Sequence, residues 1–260
     1  MTPNDAIRVP DVHCHLESLR DPPRAVQEAV DKGVGPILAV GMEQGSSERT
    51  LAMREQFPGV VLAAVGLHPS EIPGMDEVQL RDELDFVRET LASADALGEV
   101  GLDYKDARDE RQRARQREAL ELQLEWAARL RKPVSMHSRR AEHEVVESAA
   151  SFASRTGLGV NLHWFTHSIK MAKLCADAGV YISPGPSILS SDVQAEVARA
   201  IAPELLLLET DSPVEYEGEA ARPAWAARVA ARLAELRGEP LESLAERLQV
   251  NLRRYLGQTA

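Results

Sequence analysis

Two histidines lie two residues apart near the amino terminus, at the end of a short apolar run. Residues 7–12 predict a first strand, and His13 and His15 follow it. Because side chains alternate between the two faces of a strand, both imidazoles project to the same side. Paired neutral imidazoles suit a divalent transition metal, whereas the alternative is two polar residues at a loop entry. The positions of the other histidines and acids decide between these interpretations.

Eight short β-like runs alternate with longer helical segments. The runs cover residues 7–12, 36–40, 60–65, 96–100, 133–137, 159–163, 180–183 and 204–208. A helix is predicted over residues 113–130, where Leu120, Leu124 and Ala127 share one face. Strict alternation predicts a parallel sheet with right-handed crossovers, and eight units predict its closure. The expected fold class is α/β, a single-domain TIM (β/α)8 barrel over residues 1–260, a length typical of this fold.

Composition and charge restrict the classes of function. The formal net charge of −11 argues against a protein that coats duplex nucleic acid by charge alone. Cys14 and Cys175 are too few for a disulfide scaffold, and we expect both to be reduced in a cytoplasmic protein. Residues 1–8 lack a signal-peptide pattern, and no long apolar run predicts a membrane span. No coiled-coil or repeat pattern indicates assembly, so we expect a monomer.

Polar residues of this chain fall at the predicted strand ends, where a TIM barrel carries its chemistry. They are His13 and His15 after the first run, His68 after the third, Glu99 in the fourth, His137 in the fifth, His163 in the sixth and Asp211 after the eighth. A closed barrel would bring all of these side chains together. The sequence therefore predicts a metal site at the carboxyl-terminal ends of the strands.

The same positions carry a family resemblance. The motifs are HCH at 13–15, GLHP at 66–69, GEVGLD at 98–103, HSR at 137–139, HWFT at 163–166 and ETDSP at 209–213. This set resembles the TatD family of metal-dependent deoxyribonucleases, which belongs to the amidohydrolase superfamily. The resemblance implies a TIM barrel, a divalent metal centre and hydrolysis of phosphodiester bonds, often by 3′-to-5′ trimming of DNA.

Carried over by position, the resemblance implies two metal ions and their ligands. The ligands are His13, His15 and Asp211 for the first ion, His137 and His163 for the second, and Glu99 as the bridge. A carboxylate has two oxygens and can span ions ~3.5–4 Å apart. Glu99 and Asp211 are the expected catalytic residues, and Asp211 is suited to orient the attacking water and accept its proton. Zn or Mn is the expected occupant, with Mg as an activator.

Four further side chains are expected to contact the substrate: His68, Arg139, Trp164 and His167. Arg139 can offer a bidentate fork to a phosphate, or it can pair with Glu142 or Glu144 on the surface. His68 can donate to a phosphate or a base, or it can stabilise the loop before Pro69. Both alternatives stay open at the level of the sequence.

Two carboxylates near the predicted ligands are candidates for supporting the metal-binding side chains. Asp103 can orient a ligand histidine, because ligating imidazoles need a hydrogen-bond acceptor, or it can be a turn residue. Glu209 precedes Asp211 by two residues and faces the same side if the segment is extended.

The chain departs from the family pattern at the predicted mouth of the site. Trp164 replaces a common Cys, and His167 replaces a usual Gly. We expect Trp164 to be the more exposed of Trp164 and Phe165 and able to stack on a base, while Phe165 faces the core. The acidic stretch 216–221 replaces a neighbourhood that often carries basic residues in relatives. Single-stranded DNA ends, or a short oligonucleotide, are therefore the expected partner rather than duplex DNA.

Two other functions remain open. One is another hydrolase on the same scaffold, such as a D-aminoacyl-tRNA deacylase, because a fold does not choose the bond that is cleaved. Glu99 stands where many superfamily relatives use a carboxylated lysine, which favours the nuclease branch. The other is a non-catalytic, metal-stabilised subunit of a larger complex. The ligand set argues against it, since structural zinc sites are closed and usually rich in cysteine.

Overall fold

The computed structural model describes residues 8–258, in which helices surround a parallel sheet. The strands of this sheet are β1 (Val9–Cys14), β2 (Val34–Val40), β3 (Val61–Val65), β4 (Ala96–Asp103), β5 (Val134–Arg139), β6 (Val160–Leu162) and β7 (Tyr181–Ile182). They pair in chain order, each parallel to the next. A separate antiparallel hairpin consists of β8 (Glu215–Tyr216) and β9 (Glu219–Ala220).

Helices connect successive strands and cover the outside of the sheet. They are α1 (Pro22–Asp31), α2 (Gln44–Gln56), α3 (Glu77–Thr90), α4 (Glu110–Leu130), α5 (Glu142–Thr156), α6 (Ile169–Asp177), α7 (Asp192–Ala200), α8 (Ala226–Arg237) and α9 (Leu241–Tyr255). The predicted apolar face of α4 is confirmed, since Leu120, Leu124 and Ala127 are buried. No helix within residues 8–258 is long and apolar enough to cross a membrane.

The eighth predicted strand, residues 204–208, is wrong as a strand. A 3₁₀ turn, Pro203–Leu205, occupies its start, and a single isolated bridge joins Leu206 to Ile182. Within this turn the N–H of Leu205 donates back to Ala202 O at 3.0 Å, so it is not available to a neighbouring strand. The segment still closes the barrel: Leu207 N–H donates to Ile182 O at 2.9 Å, and Val12 N–H donates to Leu208 O at 3.0 Å.

The fold is thus the predicted α/β barrel, closed by seven strands and one irregular segment. The large hydrophobic core lies between the strands and the surrounding helices. A second cluster on the opposite face of the strands includes Val12, Leu38 and Val40, and Tyr255 of α9 packs into it. Such two-sided burial is expected of parallel strands covered on both faces. That one domain spans all of residues 1–260 stays a prediction.

Candidate metal centre

Glu99, a nearly fully buried residue of β4, lies at the middle of a cluster of histidines. Its Oε2 is 3.3 Å from Nε2 of His13 and 3.4 Å from Nε2 of His15. Its Oε1 is 2.9 Å from Nδ1 of His137 and 2.6 Å from Nε2 of His163. The Nε2 of His68 also lies 3.1 Å from Oε1, so Oε2 faces two imidazoles and Oε1 faces three.

Asp211 completes the first of these two groups. Its Oδ1 lies 3.5 Å from Nε2 of His15 and 3.8 Å from Nε2 of His13. The backbone N–H of Asp211 donates to the carbonyl of His13 at 2.9 Å, which fixes the irregular eighth segment against β1. Asp211 has a φ of +49°, a left-handed conformation that aspartate adopts more readily than most residues. All six predicted metal-binding side chains therefore meet at the carboxyl ends of the strands.

The second ring nitrogen of each histidine also has a polar neighbour. The pairs are His13 Nδ1 with Ser135 Oγ at 3.1 Å, His15 Nδ1 with Val40 O at 3.0 Å, His137 Nε2 with Asp103 Oδ2 at 3.2 Å, and His163 Nδ1 with Glu209 Oε1 at 3.4 Å. Hydrogen-bond partners fix the tautomer and orientation of metal-ligating histidines. The first three contacts are hydrogen bonds, whereas the contact of His163 with Glu209 lacks hydrogen-bond geometry. Asp103 and Glu209 thus lie where a supporting role was predicted.

Sequence reasoning missed two polar residues that support the cluster. Ser135 carried a signal, because it is a polar residue in an apolar strand two positions before His137. Asp11 is fully buried and accepts hydrogen bonds from the N–H and the hydroxyl of Thr210, at 2.9 and 2.6 Å. This pair ties β1 to the segment that carries Asp211.

The charges in the cluster favour an ionised carboxylate and at least one neutral imidazole. Burial would raise the pKa of Glu99, but the surrounding histidines, His68 and His163 foremost, outweigh burial and hold it well below its ordinary range. Burial, assisted by the charge of His163, lowers the pKa of His13. The pKa of His163 is raised despite its burial, because Glu99 and Glu209 stabilise its protonated form.

This donor set fits divalent metal ions. The Nε2 of His13 is buried, and its 3.3 Å contact with Glu99 Oε2 lacks the geometry of a hydrogen bond. This is a costly state for a polar atom, and a metal ion would relieve it. Donor atoms lie within 4.8 Å of one another in three groups: His13, His15 and Glu99; His68, Glu99 and His137; and His13, His163 and Glu209. Histidine and glutamate side chains are thus positioned to hold metal ions.

A cavity of about 600 Å³ opens over Glu99, and the four predicted substrate contacts all line it. Arg139 is exposed at its rim. Within the described chain it forms no ion pair with Glu142 or Glu144, so the surface-pair alternative is not observed. Phe165 is buried and Trp164 is half-buried, as predicted.

His68 stabilises the loop, which is one of its two predicted roles, while its contact with a substrate stays a prediction. Its Nδ1 accepts from the backbone N–H of Ser70 at 3.1 Å, which stabilises the loop. In a neutral imidazole the other nitrogen then carries the proton, so Nε2–H donates to Glu99 Oε1 at 3.1 Å. Burial lowers the pKa of His68 and favours this neutral form. His68 therefore presents a hydrogen-bond donor to the site.

Comparison with known proteins agrees with the motifs. A family model described as TatD related DNase matches residues 10–257. The uncharacterized metal-dependent hydrolase YjjV of Escherichia coli (strain K12) is 33% identical over 255 residues, covering 93% of this chain and 95% of that protein. The crystal structure of YjjV matches with a TM-score of 0.83 at 32% identity, covering 96% of this chain and 98% of the other.

Two further relatives carry nuclease names. Deoxyribonuclease TATDN3 of Homo sapiens is 29% identical, covering 91% of this chain and 90% of that protein. The 3′-5′ ssDNA/RNA exonuclease TatD of Edwardsiella piscicida is 30% identical over 197 residues, which are 74% of each chain. Because the family match extends over nearly all of the described residues, and the groups able to hold metal ions lie at the barrel mouth, this chain belongs to the TatD related DNase family and is a metal-dependent hydrolase.

Proposed function

We propose that this protein is an exonuclease that trims single-stranded DNA ends in the 3′-to-5′ direction. The observation that carries the proposal is the division of contacts between the two oxygens of Glu99. Oε2 faces His13 and His15, while Oε1 faces His137, His163 and His68. This division suits a two-metal centre of the kind used in phosphodiester hydrolysis. The name of the Edwardsiella relative supports the direction and the substrate class.

The proposed centre holds two divalent ions. The first would be bound by His13, His15 and Asp211, the second by His137 and His163, with Glu99 between them. Zn or Mn suits this imidazole-rich set, and Mg would serve as an activator. Bound there, the ions would polarise the phosphodiester and lower the pKa of the attacking water towards neutrality.

The side chains of the protein would perform the remaining steps. Asp211 would orient the water and take up its proton as the water oxygen bonds to phosphorus. The bond from phosphorus to the leaving oxygen would break, and that oxygen would take a proton from solvent. His68 would contact the substrate with its ring from the cavity wall while its Nε2–H donates to Glu99 Oε1. Arg139 would bind a non-bridging phosphate oxygen at the rim of the cavity. Trp164 and His167 would contact the nucleotide on the remaining wall.

The charge distribution favours a strand end over a duplex. With a net charge of −11, the protein has no overall attraction for a long polyanion, so binding would depend on the few groups in the cavity. We propose that the enzyme acts as a cytoplasmic monomer on single-stranded ends.

The test is cleavage of a 5′-labelled single-stranded oligonucleotide by chelator-treated protein, with Mg, Mn or Zn added back. We expect a ladder of progressively shortened products. Glu99→Gln keeps the shape of the side chain but removes its charge, and it should slow cleavage by at least about 100-fold. Glu147→Gln, an exposed position on α5, is the matched control and should cleave like the unsubstituted protein.

Three results would overturn the proposal. Internal cuts without a ladder would indicate an endonuclease. Hydrolysis of a D-aminoacyl-tRNA ester, with no cleavage of the oligonucleotide by any metal form, would assign the site to a different ester. Tight metal binding without turnover of either substrate would leave a non-catalytic, metal-stabilised subunit.

A further inference from the structure

Trp164 is a large aromatic side chain on the wall of the cavity that contains Glu99. It follows His163 directly and is half-buried, so part of its indole borders the cavity. The proposed hydrolysis needs carboxylates, imidazoles and a phosphate-binding group, and none of these roles requires an indole. The position of Trp164 therefore points to a part of the substrate other than the phosphate.

The indole is supported from one side by the backbone of Gly185. A Cβ atom on Gly185 would lie 3.0 Å from Cε3 and 3.1 Å from Cζ3 of Trp164. The six-membered ring therefore packs directly on this glycine, which is buried between Pro184 and Pro186 and does not line the cavity. A side chain at this position would push the ring towards the cavity.

The backbone of Trp164 is also fixed. Its φ is +43°, a left-handed conformation that is costly for a bulky residue and persists only where the surroundings impose it. Its N–H donates to the carboxylate of Glu209, which also accepts from the hydroxyl of Ser183. Both Glu209 and Ser183 are fully buried. The backbone that carries the indole is thus held in place before any ligand binds.

We propose that Trp164, supported by Gly185, is a nucleobase-stacking platform for the nucleotide that occupies the cavity. This inference rests on the proposed function and deepens it, because it makes the base of the terminal nucleotide a binding determinant. Stacking on an aromatic face tolerates every base, since each has a π-face. The enzyme should therefore distinguish ends that carry a base from abasic ends, and not one base from another.

The first test compares two single-stranded oligonucleotides that differ only at the 3′ terminus, which is thymidine or a tetrahydrofuran abasic residue. We expect the unsubstituted protein to prefer thymidine by about 10-fold or more in kcat/KM, within the range that alanine substitution of a stacking residue covers. Trp164→Ala should bring the ratio of the two values close to one, while Trp164→Phe should keep most of the preference. Gly185→Ala should reduce it partly, because the ring must shift.

The second test is binding, which does not depend on turnover. Titration calorimetry of the metal-loaded protein should show thymidine 5′-monophosphate binding about 10-fold or more tightly than deoxyribose 5-phosphate, and Trp164→Ala should remove the difference. Equal binding of the two ligands by the unsubstituted protein, or a difference that survives in Trp164→Ala, would overturn the proposal. If neither oligonucleotide is cleaved, the proposed function fails, and the binding comparison still decides for or against the platform.

Discussion

Replacement of Gly101 by alanine should destabilise the protein and disturb the strand that carries His137. Gly101 has a φ of +148°, a conformation that residues with a side chain rarely adopt, and it pairs with His137 across β4 and β5. A Cβ atom at Gly101 would lie 2.1 Å from the carbonyl oxygen of His137 and 2.9 Å from its carbonyl carbon. These are backbone atoms of an interior strand, so they cannot move aside as a flexible side chain can.

Two costs add in this variant. A sparsely populated backbone conformation costs ~1–3 kcal/mol, and overpacking against a rigid neighbour costs a further ~1–3 kcal/mol. Alanine also makes the unfolded chain less flexible than glycine does, and this offsets ~0.4–1 kcal/mol of the loss in stability. Because the overlap at 2.1 Å is with backbone, we expect a loss near the upper end, about 3–5 kcal/mol. Such a loss is a large share of the ~5–15 kcal/mol that stabilises a typical domain.

Gly157→Ala is the matched control for this prediction. Gly157 ends α5 with a φ of +68°, and a Cβ atom there would have no heavy atom within 4 Å. Only the backbone penalty applies, so its loss should be about 1 kcal/mol. Urea unfolding followed by circular dichroism measures both variants. If Gly101→Ala is no less stable than Gly157→Ala, the close approach of β4 and β5 does not disfavour a side chain at position 101.

The remaining predictions concern hydrogen bonds beside the site. Thr210→Val removes the hydroxyl that donates to buried Asp11, and it should lower the free energy of unfolding by ~1–3 kcal/mol. Thr50→Val should be neutral or stabilising, because the buried hydroxyl of Thr50 has no partner within residues 8–258; the opposite order in urea unfolding would contradict this reasoning. Asp103→Asn removes a carboxylate that contacts a candidate ligand histidine, so a competing chelator should report ~10–100-fold weaker metal binding. Asp106 contributes its backbone N–H to the same turn, and equal loss of affinity in Asp106→Asn would refute a specific role for Asp103.

The convergence of the site could be predicted because the ends of the strands can be identified from the sequence. Apolar runs bounded by helical segments mark the strands, and His13, Glu99 and His137 lie at their ends. Alternation along β1 also predicted that Cys14 packs away from the site, and this residue is fully buried in the core. These conclusions need only local patterns and the geometry of a parallel barrel.

Other features depended on contacts that leave no local pattern. The carbonyl of Val40 beside His15 is a backbone group, and every residue has one. Residues 204–208 have the composition of a strand, yet tertiary hydrogen bonds and the turn at Pro203 replace the regular ladder. The support of Trp164 by Gly185 joins two residues for which no sequence pattern predicts a contact.

The closure of the barrel by its last segment has a consequence during protein synthesis. Asp11 and Thr210 are 199 residues apart in the chain, and their hydrogen bond lies beside the candidate ligands of β1. A nascent chain that ends within α6 already contains His13 and His15, but it lacks Glu209, Thr210 and Asp211. Translation proceeds from the amino terminus, so the complete site forms only after residues 209–211 have left the ribosome. Until then the growing chain lacks Asp211 and therefore one full group of candidate metal ligands.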